Sequence, residues 1–163
     1  MTSGLRQKIM SAMRGRVCFM GLGEVDGGDD GFGVRLAERL GRAGRFDVVI
    51  GGTAPERVVG RCIDKGFDHL VFLDAAEIGA MPGSVVFLNS REMAAKFPQV
   101  STHRLALGML AKYVEAGGAR RAWLLGAQPA SLKPGNALSP AIEKTLDLLA
   151  EMLDSIRSEG IET

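Results

Sequence analysis

Short apolar runs alternate with helical patterns along this chain, which predicts strands separated by helices. Apolar side chains recur one turn apart over residues 32–42, and a four-and-three repeat follows Pro140. Residues 70–73 are continuously apolar, as expected of a strand that is buried on both faces. The predicted strands are residues 17–21, 46–50, 69–73, 84–88 and 122–125, and the predicted helices are residues 32–42, 53–65, 104–116 and the segment from 140 onward.

The link between the third and fourth predicted strands indicates a change of direction. Residues 74–82 include Gly79 and Pro82, and they are too few for the crossover of about a dozen residues or more that joins parallel neighbours. The fourth strand is therefore expected to run antiparallel to the third. The expected fold is an α/β/α sandwich with a five-stranded mixed sheet, mostly parallel with one antiparallel strand.

Two predicted helices begin with capping signals. Thr53 and Glu56 have the spacing of a capping box, in which each side chain bonds the other residue's backbone N–H. Ser139 followed by Pro140 is typical of a cap and the first helical position. His69, at the start of a strand, is expected to be structural.

Length and composition set limits on the class of protein. The 163 residues fit one domain, assigned to residues 16–163, and the basic segment 1–15 is expected to be a flexible extension or a short helix. A net charge of +1 and an aromatic content of 6% argue against a nucleic-acid partner. No apolar stretch reaches the roughly 20 residues that span a bilayer, so membrane insertion is not expected.

The two cysteines, Cys18 and Cys62, fall within a predicted strand and a predicted helix. Buried free thiols are expected there rather than a disulfide or a thiolate metal site. Low cysteine use and the lack of a signal peptide predict a cytoplasmic protein.

Residues 21–33 form the most informative segment of the chain. Four carboxylates, Glu24, Asp26, Asp29 and Asp30, stand among six glycines between the first strand and the first long helix. Ligands of open α/β sheets gather at such carboxyl ends of strands. Glycine loops at helix starts usually bind phosphate, but the negative charge here predicts a cation instead.

Two further ionisable residues are expected near the same edge of the sheet. Asp74 ends the third predicted strand, and His103 precedes a predicted helix. If the first and third strands are parallel neighbours, about 4.8 Å apart, Asp30 and Asp74 share one site. Two carboxylates and an imidazole suit zinc, nickel or manganese-like ions, and two carboxylates alone could share a proton and activate water.

Structural roles are open for the same residues. Asp29 and Asp30 could cap the following helix and interact favourably with its dipole. Asp74 could form a turn, and His103 could be a surface histidine beside a helix start.

These motifs in order resemble the hydrogenase maturation endopeptidases, which trim the large subunit of nickel-iron hydrogenases. The resemblance covers nearly the whole chain after Gly15. The matching segments are Gly21-Leu22-Gly23-Glu24, Asp29-Asp30-Gly31-Phe32-Gly33, Gly51-Gly52-Thr53-Ala54-Pro55-Glu56, Leu73-Asp74-Ala75, Pro82-Gly83, Ser101-Thr102-His103, Gly126-Ala127-Gln128-Pro129 and Leu138-Ser139.

The resemblance implies a three-layer, phosphorylase/hydrolase-like α/β/α fold and an endopeptidase that removes the C-terminal peptide of a hydrogenase large-subunit precursor after nickel insertion. By motif position, Asp30, Asp74 and His103 would contact nickel supplied by the precursor, or otherwise another divalent metal. Asp30 and Asp74 would be the catalytic carboxylates, by an aspartic-type or a metallo-type mechanism. Asp29 and Glu24 are second-choice carboxylates.

The chain departs from the family pattern at three places. Glu24 replaces the usual asparagine, Ile50 stands where many members have aspartate, and Gly27-Gly28 makes the spacer unusually flexible. Two alternatives stay open: a metal-dependent hydrolase with another peptide substrate, and a non-catalytic module that senses metal and binds the precursor.

Overall fold

The computed structural model describes residues 3–44, 46–96 and 107–158. Within them, five strands form one sheet in the order β2-β1-β3-β5-β4. The pairs β1–β2, β1–β3 and β3–β5 are parallel, whereas β4 and β5 are antiparallel. The predicted direction of the fourth strand and the adjacency of the first and third are therefore confirmed. The strands are β1 (Val17–Leu22), β2 (Asp47–Gly52), β3 (His69–Ala75), β4 (Val85–Asn89) and β5 (Arg121–Ala127).

Helices cover both faces of the sheet, which gives the expected three layers. The described helices are α1 (Ser3–Ala12), α2 (Phe32–Arg42), α3 (Val59–Asp64), α4 (Ser90–Lys96), α5 (Leu107–Glu115) and α6 (Pro140–Ser158). One buried cluster joins α1, α2 and α6 to the sheet, and a second joins α3, α4 and α5 to the opposite face. No helix among the described residues combines the length and the hydropathy needed to cross a bilayer.

The N-terminal segment is helical, which is the second of the two expectations for it. Ile9 is 0% exposed and Met13 is 1% exposed, and both belong to the cluster that includes α6. Leu5, partly buried against that cluster, is one turn before Ile9. This four-residue spacing places an apolar stripe on one face of α1, so the segment packs on the domain instead of extending from it.

Local structure differs from the prediction at two helix starts. The Thr53–Glu56 capping box is wrong, because a 3-10 turn (Pro55–Arg57) follows Ala54 with no side-chain cap, and α3 begins only at Val59. Helix α4 was not predicted, although its signal is local. Asn89 Oδ1 accepts from the Glu92 N–H (2.9 Å) and Glu92 Oε1 accepts from the Asn89 N–H (3.1 Å), which is a reciprocal capping box.

Three other local expectations are confirmed. Ser139 caps α6 as expected, since its Oγ accepts a hydrogen bond from the Ile142 N–H at 3.5 Å. Cys18 and Cys62 are free and buried. His69 is buried and accepts a hydrogen bond at Nδ1 from the Trp123 indole (3.1 Å), and its Nε2 lies 2.9 Å from the Arg14 carbonyl oxygen, so the side chain has a structural role.

Candidate active site

The acidic turn after β1 folds back on itself. Gly23 has φ +109°, and a Cβ there would overlap the carbonyl oxygen of Asp30. The Glu24 N–H donates to Asp30 Oδ2 at 2.9 Å. A 3-10 turn (Gly28–Gly31) then leads directly into α2. Only glycine permits this positive φ and close approach at position 23, so the glycines and the carboxylates of the segment determine one compact turn.

A second close approach places this turn against β3. A Cβ on Gly33 would overlap the Leu73 carbonyl oxygen and lie 2.6 Å from that of Leu22. The first turn of α2 therefore rests on the backbone at the carboxyl ends of β1 and β3. Cα atoms of Gly28–Gly31 also lie within 8 Å of Cα atoms in β3. Asp30 and Asp74, the residue after Leu73, consequently lie at the same edge of the sheet.

The two aspartates have different surroundings. Asp74 is 3% exposed, in the part of β3 that pairs with Gly126 of β5. Asp30 is half-buried, and its Oδ1 is buried with no hydrogen-bond partner among the described residues. Carboxylate oxygens withdrawn from water carry a free-energy cost unless something compensates it, and such groups cluster at functional sites. The unbonded Oδ1 is an acceptor that a ligand or a water molecule can use.

His103 lies outside the described residues. Among those that are described, no group of three or more His, Cys, Asp or Glu side chains has the arrangement of a metal site. The three-residue nickel contact therefore stays a prediction.

Asp29 has a role that neither the metal nor the helix-cap interpretation anticipated. It is 2% exposed, and its carboxylate accepts hydrogen bonds from the N–H groups of Ala130 (2.9 Å), Ser131 (3.3 Å) and Ser139 (2.7 Å) and from Ser139 Oγ (2.8 Å). Burial acts to raise the pKa of Asp29, but the hydrogen bonds from Ser139 and the loop amides outweigh it and lower the pKa below its usual value. Asp29 thus connects the acidic turn to the loop between β5 and α6.

The same two loops are joined by backbone contacts. The Gly28 N–H donates to the Gly135 carbonyl and the Gly135 N–H donates to that of Asp26, both at 2.8 Å. Arg35 adds a side-chain connection, since its Nη2 donates to the carbonyls of Val25 (3.3 Å) and Asn136 (2.8 Å). The acidic turn is therefore held to the loop between β5 and α6 by backbone hydrogen bonds as well as by side chains.

Gln128 is a second residue whose role the sequence did not indicate. It is 4% exposed, and its Oε1 accepts from the N–H groups of Ile78 (2.8 Å) and Ala80 (3.3 Å). Its Nε2 donates to Glu77 Oε1 (2.9 Å) and to the Pro129 carbonyl (3.2 Å). Gln128 therefore shapes the link that begins directly after Asp74 and Ala75. The Gln-Pro pair was a visible signal, but it did not reveal which backbone groups the amide bonds.

Two of the residues that depart from the family pattern, Glu24 and Ile50, are exposed. Glu24 is exposed, and its Oε1 lies 3.4 Å from the Asp26 N–H. Ile50 is 44% exposed near the end of β2. Glu24 therefore adds a solvent-accessible negative charge beside Asp30. The backbone N–H of Glu24 is the group that donates to Asp30 Oδ2.

Comparisons with known proteins agree with this architecture. Residues 33–156 match the family model described as HycI, hydrogenase maturation protease. The hydrogenase 2 maturation protease of Escherichia coli K12 is 28% identical over 156 residues, which cover 90% of this chain and 94% of that protein. The crystal structure of a [NiFe] hydrogenase maturation protease from Thermococcus kodakarensis superposes with a TM-score of 0.81 at 30% identity, covering 96% of this chain and 99% of that one. The hydrogenase maturating endopeptidase of E. coli gives 0.74 at 28% identity, over 90% and 95% of the two chains.

Proposed function

The chain belongs to the hydrogenase maturation protease family, and on that premise we propose that it removes the C-terminal peptide of a nickel-iron hydrogenase large-subunit precursor, in the cytoplasm, after nickel insertion. The observation that supports this proposal is that the turn carrying Asp30 follows β1 and leads into a helix whose first turn rests on the end of β3, where Asp74 lies, with the Asp30 Oδ1 free of hydrogen bonds among the described residues. That oxygen can accept from a substrate group or a water molecule.

We infer that recognition uses oxygen and nitrogen donors toward nickel carried by the precursor. Carboxylates and imidazole are suitable ligands for this ion, and the donors are Asp30, Asp74 and His103. The nickel belongs to the substrate, so selectivity for the loaded precursor would follow from the extra contacts that only this form offers. Asp29 and Gln128 support the site, because they hold the loops on either side of it.

Hydrolysis requires a base for water and an acid for the leaving amine. We infer that one of the two carboxylates takes a proton from a water molecule while the oxygen of that water bonds to the scissile carbonyl carbon. The carboxyl group then gives this proton to the departing nitrogen as the carbon–nitrogen bond breaks, which leaves a new C-terminal carboxyl group on the precursor and releases the peptide. General acid–base catalysis of this kind contributes about a hundredfold or more to rate.

The test is incubation of nickel-loaded precursor with the protein, followed by mass spectrometry of the precursor. The wild-type protein is expected to reduce the precursor mass by that of the C-terminal peptide. Asp30→Asn and Asp74→Asn are each expected to reduce the rate by about a hundredfold or more. Asp26→Asn is the matched control, since Asp26 is an exposed carboxylate of the same turn whose side chain makes no hydrogen bond among the described residues.

Each arm of this experiment can contradict a separate part of the proposal. An unchanged precursor mass with wild-type protein would remove the protease function, and a stable complex without cleavage would favour the binding module. Equal cleavage by the Asp30 and Asp74 variants would contradict the site assignment. Equal cleavage of nickel-free precursor would contradict nickel recognition.

A further inference from the structure

A charged cleft lies between α2, α6 and the loop that precedes α6. Its volume is about 420 Å³, within the range of about 300–1,000 Å³ that is typical of ligand sites. The α2 wall carries Arg35, Arg39 and Arg42, whereas the α6 wall carries Glu143 and Asp147. Spacings of four and three residues place the three arginines along one face of α2. The cleft therefore has a largely basic wall facing an acidic one, although Glu38 also lines it from α2.

The charges of the two walls are only partly neutralised within the protein. Arg39 and Asp147 form an ion pair that bridges α2 and α6. Arg42 and Glu143 are exposed, and neither side chain makes an ion pair or a hydrogen bond among the described residues. A phosphate group would be repelled by the acidic wall, and a metal ion would be repelled by the guanidinium groups. A segment of polypeptide, with charges of both signs and with backbone donors and acceptors, matches both walls.

The cleft is continuous with the structure that supports the candidate site. Arg35 lines the cleft and also donates to the carbonyl of Val25 in the acidic turn and to that of Asn136. Leu138 and Leu146 supply apolar lining beside the charged groups. A chain lying in this cleft would therefore run close to the turn that carries Asp30.

We propose that this cleft binds the segment of the precursor that lies on the C-terminal side of the scissile bond. This inference rests on the proposed function. A cleft of this volume accommodates a short extended segment and excludes a folded domain, and the segment to be removed is the part of the precursor that can enter as a short chain. The cleft would hold that segment through its charges while the scissile bond lies at the aspartates.

The test is direct binding of a fluorescein-labelled synthetic peptide with the sequence of the removed segment, measured by fluorescence anisotropy. The informative variant combines Arg42→Glu with Glu143→Lys, which exchanges the two charges and keeps the net charge of the wild-type protein. Two lost contacts between exposed charges predict about tenfold weaker binding. The matched control combines Arg91→Glu with Glu151→Lys, which makes the same exchange at exposed positions outside the cleft.

Kinetics with precursor provide the second readout. The cleft variant is expected to raise KM about tenfold for full-length precursor with kcat unchanged, and to leave KM unchanged for a precursor truncated shortly after the scissile bond. Arg42→Glu alone leaves α6 unaltered, so it gives the answer if Glu143→Lys impairs folding of that helix.

The outcomes separate this inference from the proposed function. Failure of wild-type protein to cleave loaded precursor removes the function, whereas cleavage by wild-type protein without peptide binding overturns only the cleft assignment. Equal peptide affinity of the cleft variant and the control overturns the cleft assignment as well. Unlabelled peptide and free lysyl-glutamate can also be compared as competitors of the labelled peptide. Equal displacement by the two at the same concentration would show that the cleft binds any small zwitterion, and it would likewise overturn the proposal.

Discussion

Replacing Asp29 with asparagine tests whether this carboxylate holds the acidic turn against the loop before α6. The substitution keeps the size of the side chain and removes its charge. Asparagine can direct its oxygen toward the three donors that now bond Oδ2, but its NH₂ group then faces the Ser139 N–H, which bonds Oδ1 at 2.7 Å. Two donors would oppose each other at a site that is 2% exposed.

The expected cost follows from these contacts. A hydrogen bond to a charged group contributes about 1.5–3 kcal/mol, and a buried donor without a partner costs about 1–3 kcal/mol. We therefore expect Asp29→Asn to lower the free energy of unfolding by about 3 kcal/mol at pH 7, and Tm by roughly 6–12 °C for a chain of this length. Asp26→Asn, at the exposed carboxylate three residues earlier, is expected to change the free energy of unfolding by less than about 0.5 kcal/mol.

The pH dependence gives an independent check with a defined sign. The pKa of Asp29 is lowered from its ordinary value of 3.8, so its contribution to stability is present above about pH 4 and is lost as the pH falls through the folded-state pKa. The difference between wild-type protein and Asp29→Asn should be constant from about pH 7 to pH 5 and should shrink below about pH 4.

Urea unfolding monitored by the fluorescence of Trp123, the single tryptophan, measures both effects. Trp123 stacks on Phe87 at a centroid distance of 5.0 Å, so its emission should report loss of the sheet. A cost for Asp29→Asn no greater than that for Asp26→Asn would refute the reasoning. A difference that stays constant down to pH 3 would refute the assignment of a lowered pKa.

Two further substitutions probe how the site is assembled. Gly33→Ala should lower stability by about 2 kcal/mol or more, since its Cβ would overlap the Leu73 carbonyl oxygen. Gly41→Ala in the same helix, where the nearest contact would be 3.5 Å, should raise stability by about 0.5 kcal/mol. A similar effect of both in thermal unfolding would contradict the close packing. Gln128→Glu should lower the free energy of unfolding by about 2 kcal/mol, because it places a second carboxylate beside Glu77. Faster amide hydrogen exchange in the link after β3 would confirm that Gln128 holds this link, whereas unchanged exchange would exclude that role.

Much of the fold could be predicted because its signals are local. The bounds of α2 follow from the periodicity of its apolar residues, and the direction of β4 follows from a link too short for a crossover helix. The helix at residues 90–96 also had a local signal in Asn89 and Glu92, but its apolar pattern is too short to predict a helix by periodicity.

The sequence by itself determined the class of fold, the acidic turn after β1 and the resemblance that identifies the family. These depend on residue type and short spacing, which fix backbone conformation and local charge. Only the tertiary structure decided that Asp29 binds Ser139, more than a hundred residues away, that Gln128 shapes the link after Asp74, and that α2 and α6 enclose a charged cleft. The physical reason is that such contacts arise when the sheet and its helices bring distant loops within hydrogen-bond distance, and no local pattern specifies which polar groups will then meet.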